Sequence, residues 1–183
     1  MPAVFFIPAM KLHLQSNDFE LFGLPAQFAQ DGAAIDARWK ELQREAHPDR
    51  FAAQGAAAQR VAMQWSVRIN EAYRRLKDPL QRAAYLCELR GAPIDAENNT
   101  AMPARFLIEQ MEWRESLDEA QDERALDALQ DELRESRRQV LQDIERLLDR
   151  ENDPAGAAQQ VRALMFVERF GRDIEARFEQ LGQ

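Results

Sequence analysis

Pro48 most constrains what this chain can fold into. It lies in Arg44-Glu45-Ala46-His47-Pro48-Asp49-Arg50, between two stretches of helical periodicity. A proline has no backbone N–H and a fixed φ, and it disfavours helix at the residue before it. The first helix must therefore end near Ala46. His47-Pro48-Asp49 is left as a loop carrying an imidazole and a carboxylate on either side of a rigid kink.

The stretch before this loop, about 33–46, carries Ile35, Trp39, Leu42 and Ala46 at steps of four, three and four. That is one stripe of an α-helix, and Lys40 and Arg44 project from roughly the opposite face. The stretch after it, about 57–77, repeats Val61, Trp65, Ile69, Ala72, Tyr73 and Leu76. Upstream, Asn17 and Glu20 have the spacing of a capping box for a short helix that Gly23 and Pro25 end. Downstream, Asp78-Pro79 is a cap-then-proline helix start. The short fourth helix beginning there holds Tyr85, Leu86 and Leu89 and stops at Gly91. Few glycines and β-branched residues occur, and good helix formers dominate. The chain reads as all-α.

Residues 91–103 lose the helical period and contain two prolines and two asparagines, the marks of a linker. The charge changes at the same place. Residues 1–90 carry 12 Lys+Arg against 10 Asp+Glu, and residues 91–183 carry 12 against 22, so +2 becomes −10. We place a domain boundary there. Beyond it, helices are expected over about 104–119, 122–150 and 154–181, with Asp153 and Pro154 starting the last. Leu126, Leu129, Leu133, Val140, Ile144 and Leu147 give the second a stripe. Leu164, Val167, Gly171, Ile174, Phe178 and Leu181 give the third its own. Short connections predict an antiparallel three-helix bundle.

The helix over 104–119 has more apolar surface than a bundle needs. Phe106, Gln110, Trp113 and Leu117 fall within about 60° of each other, whereas Leu107, Ile108 and Met111 lie about 100–200° around. Glu112, Glu115 and Glu119 sit beside them. Phe166 is also about 110° off the stripe of its helix. A helix apolar on two faces is buried all round or binds something. The glutamates argue against burial, so an apolar patch rimmed by acid is the candidate partner site.

Several classes are excluded or disfavoured. An acidic second half lacks the positive footprint of nucleic-acid binding. One cysteine, Cys87, allows no intrachain disulfide and no multi-thiolate metal site, and reads as a structural thiol. No cofactor is expected. The apolar start is short, has no preceding positive charge and is broken by Pro8, so neither a signal peptide nor a membrane span is expected. Residues 1–15 read as a leader, with Met10 as a second possible start, and a cytoplasmic location is the expectation. An acid–base enzyme built on His47 and Asp49 would have no second polar cluster to help it, since His13 lies in the leader.

Asp18-Phe19-Glu20-Leu21-Phe22-Gly23-Leu24-Pro25, the His47-Pro48-Asp49 loop, Ile69-Asn70-Glu71-Ala72-Tyr73, and Leu76 to Tyr85 together resemble a J-domain. Such modules stimulate the ATPase of a DnaK-type chaperone. Leu21 to Pro25, Gln43 to Phe51 and Phe106 to Glu119 are similar, more narrowly, to the HscB family, J-domain co-chaperones of iron–sulfur cluster assembly. The resemblance spans about 17–181. It implies a four-helix J-domain over 16–90, a linker over 91–103 and a scaffold-binding three-helix bundle over 104–183, arranged as an L. It implies no enzyme activity and two partners: the chaperone ATPase HscA, met by His47, Pro48, Asp49, Lys40 and Arg44, and the cluster scaffold IscU. Carried over by position, the scaffold contacts are Leu107, Ile108, Met111, Glu112, Glu115, Glu119 and Phe166. The family usually has Met at position 108 and Leu at 111. The alternative is a J-protein of a general DnaK-type chaperone with another client.

Overall fold

The computed structural model describes residues 15–181. The expected leader, with Met10 and His13, lies outside them except for Gln15. The regular structure of the described residues is all helical, with no strand among them. The described residues divide into two compact units, with the boundary between Arg82 and Ala83.

The first unit begins with α1 (Asp18–Phe22), held by a complete capping box. The Glu20 N–H donates to Asn17 Oδ1 at 2.9 Å, and the Asn17 N–H to Glu20 Oε2 at 3.0 Å. Gly23 ends it with φ of 63°, a conformation glycine adopts without a Cβ clash. Phe19, Leu21 and Phe22 are buried, and each such side chain contributes about 1.5–3 kcal/mol. Beside them Asp18 is also fully buried. Arg68 and Arg75 of the long helix α3 (Ala56–Lys77) hold its carboxylate at 2.6 and 2.9 Å. α2 (Gly32–Glu45) starts at Asp31, whose Oδ1 accepts the Ala33 N–H, and packs Ile35 and Leu42 inward against α3. Trp65, Ile69, Ala72 and Leu76 answer from α3 as the stripe requires, while Val61 and Tyr73 are only half-buried.

α4 (Pro79–Leu89) starts as expected, with the Gln81 N–H on Asp78 Oδ1 at 2.9 Å. Arg82 is buried, donating to the Phe28 and Leu76 carbonyls with its guanidinium over the Phe28 ring. Ala83, Leu86 and Cys87 form the buried face of the next turns, and Leu89, expected among them, is exposed. Burial pushes the Cys87 thiol up to about 11, so at neutral pH it is an inert thiol.

The second unit contains α5 (Ala104–Glu119), α6 (Glu123–Glu145) and α7 (Pro154–Leu181). Their core joins Phe106 and Trp113 to Leu126, Leu129 and Leu133, and to Val167, Phe170 and Ile174. Asp122 and Asp153 cap α6 and α7, accepting the Ala125 and Gly156 N–H groups at 2.8 and 2.9 Å. The single helix expected over 122–150 is interrupted: residues Arg146–Arg150 form a π turn. There Arg90 donates to the Leu148 carbonyl. The non-helical stretch before α5 is fastened by Arg162 of α7, which is buried and donates to the Ala101 and Ile94 carbonyls at 2.6 and 2.9 Å.

Candidate functional site

Two surfaces carry the residues singled out by the sequence, one in each unit. On the first, His47 has extended backbone (φ −63°, ψ 126°), as a residue before proline prefers. Beyond His47 the chain enters a helix and not an open loop: Pro48–Gln54 form a 3-10 helix with His47 as its cap. The Asp49 N–H donates to His47 Nδ1 at 3.3 Å, and the Arg50 N–H to the His47 carbonyl at 3.0 Å. His47 Nδ1 and Asp49 Oδ2 stand 3.5 Å apart, with the two side chains 58% and 88% exposed. Both functional groups are thus presented outward on a backbone fixed by proline and by local hydrogen bonds. Lys40 and Arg44 are exposed on α2, which leads into the turn.

A line of side-chain hydrogen bonds sets how α2 lies on α3. Asp36 accepts from Tyr73 at 2.9 Å and from Lys77 at 2.7 Å. Asn70 Oδ1 accepts from Trp39 at 2.9 Å and from Gln43 at 2.7 Å. Ser66 donates to the Ala46 carbonyl at 3.2 Å, the last residue before His47. The Lys77 and Tyr73 hydrogen bonds hold the Asp36 carboxyl below its usual range, and Asp36 in turn raises Lys77 and Tyr73. Sequence reasoning gave Asn70, Gln43 and Ser66 no role. The available signal was a polar residue, Asn70, between the stripe residues Ile69 and Ala72.

On the second unit, Leu107, Ile108 and Met111 are 40%, 62% and 70% exposed, although the bundle core closes without them. Glu112, Glu115 and Glu119 are exposed on the same helix. Phe166 differs. Its position off the stripe predicts exposure, but it is half-buried and packed on the core. Its ring stacks on Phe170 and meets the edge of Phe106, each at 5.8 Å, because α5 lies over that part of α7. Around the other side of α5, a cleft of about 610 Å³ opens against α6, floored by Phe106 and Trp113 and walled by Glu109, Glu112, Asp131 and Glu135. Among the described residues no group of three or more His, Cys, Asp or Glu side chains is placed to hold a metal ion. None of their helices is long and apolar enough to cross a membrane.

Residues 102–175 match the family model described as the HSCB C-terminal oligomerisation domain. Over 171 residues the chain is 54% identical to the co-chaperone protein HscB homolog of Burkholderia multivorans, covering 92% of this chain and 97% of that one. The chain belongs to the HscB family of co-chaperones. The Burkholderia vietnamiensis HscB homolog is 53% identical over the same coverage. Among solved structures, HscB from Vibrio cholerae superposes with a TM-score of 0.76 at 36% identity, over 91% of this chain and 99% of that one. Human HscB gives 0.81 at 25% identity, over 97% and 91%. The HscB resemblance and the all-helical fold are therefore borne out, and so is the role: a J-domain co-chaperone of iron–sulfur cluster assembly.

Proposed function

We propose that this HscB-family chain joins two partners, an HscA-type chaperone ATPase at its J-domain and an IscU-type scaffold at its bundle. In this reading the J-domain comprises residues 16–90, joined by 91–103 to a bundle over 104–183. Lys40 and Arg44 steer α2 toward an acidic chaperone surface. His47-Pro48-Asp49 then favours the hydrolysis-competent state of the chaperone, so the chain shifts a population and has no active site of its own. Holding scaffold and chaperone on one chain makes their meeting effectively intramolecular. The cytoplasm is the matching compartment, and neither nucleic acid nor membrane is a partner.

The observation that carries the scaffold half is the exposure of Leu107, Ile108 and Met111 on a bundle whose core is already closed. Large apolar side chains held in water gain by being covered. Leu107→Ala with Met111→Ala should weaken scaffold binding by more than about 1 kcal/mol for each anchor. The melting temperature should hardly move, because exposed substitutions cost under about 0.5 kcal/mol. Calorimetric titration with melting by circular dichroism reads both. Unchanged binding would return the reading to a J-protein with a different client.

A further inference from the structure

The surface formed by Leu107, Met111 and Phe166 carries a cation that the acidic rim does not account for. At 100° per residue, Arg114 lies about 20° from Leu107 and about 60° from Met111 around α5. The three glutamates lie about 100–160° away from it, on the far flank. The Arg114 guanidinium stands 5.3 Å from the centre of the Phe166 ring. That ring is itself fixed by Phe170 and Phe106, so the arginine covers an aromatic surface that does not move away beneath it. Asp118, one turn further on, is the ordinary partner for an exposed helical arginine. Arg114 nonetheless makes no ion pair among the described residues and lies over the ring instead.

A partner that covers Leu107 and Met111 takes this guanidinium out of water. A charge so desolvated opposes binding unless an acceptor meets it, and a carboxylate meets a guanidinium with two parallel hydrogen bonds. We propose that Arg114 is a specificity-determining residue of this surface: it covers Phe166 in the free chain and passes to a carboxylate of the bound partner. The partner face selected is then apolar at its centre, with an acidic side chain on the flank facing α7. The inference rests on reading this surface as the scaffold site.

The test is calorimetric titration of the scaffold into the full chain, at two salt concentrations, with wild type, Arg114→Ala, Arg114→Lys and Met111→Ala. Arg114→Ala should weaken binding about tenfold or more and flatten its salt dependence, with an unchanged melting temperature. Arg114→Lys should fall between, keeping the charge but losing the fork. Arg114→Ala binding as tightly as wild type, or tighter, overturns the proposal, for the guanidinium would then be a cover with nothing to meet. Wild-type affinity in Met111→Ala would instead remove the scaffold site itself, whatever Arg114 does.

Discussion

Two aspartates of the first unit show how differently one residue type is used. Asp49 is exposed at the turn, where substitutions usually cost under about 0.5 kcal/mol, and it is the carboxylate we propose for the chaperone contact. Asp49→Asn should abolish stimulation of the chaperone ATPase and leave the thermal melt of the chain within error of wild type. Full stimulation at saturating variant would make the turn an ordinary connection. Asp18 is fully buried between Arg68 and Arg75. Removing one member of a buried ionic group leaves the others uncompensated, so Asp18→Ala should cost about 3 kcal/mol, read by urea denaturation. Replacing it with little loss of stability would show the arginines finding water instead. The sequence displayed both residues in recognisable motifs, but only Asp49 could be given a role from it. The burial of Asp18 depends on arginines 50 and 57 residues away, a pairing no local pattern carries.

At the scale of elements, periodicity located helices well where one face met one core. The stretches 104–119 and 154–181 match α5 and α7 as drawn. It failed where the chain departs from 3.6 residues per turn. The 3-10 helix after Pro48 contains no apolar stripe, so the segment reads as loop. The π turn at 146–150 keeps Leu147 and Leu148 buried while admitting an extra residue, and an apolar pattern tolerates that without visible interruption. The α2–α3 hydrogen bonds were equally hidden, since polar residues at an interface look like surface. One of them responds to pH. The Asp36 carboxyl is depressed in the folded chain, so its contribution is complete above the unfolded carboxylate pKa and fades as pH falls through the lower folded value. Melting wild type and Asp36→Asn between pH 7 and pH 2.5 should show the variant less stable near neutrality and the two curves converging in acid. Parallel curves would mean that Lys77 and Tyr73 do not depend on the charge.

Across the whole molecule, the proposed partner contacts are read from two short regions, the turn at 47–49 and the second apolar face of 104–119. Geometry then altered the weight of one member, since Phe166 serves the core as well as the surface. What stayed hidden were contacts in which a side chain meets main chain. Arg162 is the largest example, gripping the carbonyls of Ile94 and Ala101. Arg162→Ala should lower the melting temperature and raise hydrogen exchange across 92–103. Unaltered exchange there would show that the arginine merely fills space. A guanidinium that grips carbonyls is indifferent to which side chains those residues bear. The grip on Ile94 and Ala101 is therefore blind to the side chains at those two positions, whereas Asp95, Asn98 and Asn99 between them add side-chain hydrogen bonds of their own. The constraint at the two ends of that segment is stored in a single residue of another helix, where no inspection of the segment itself would find it.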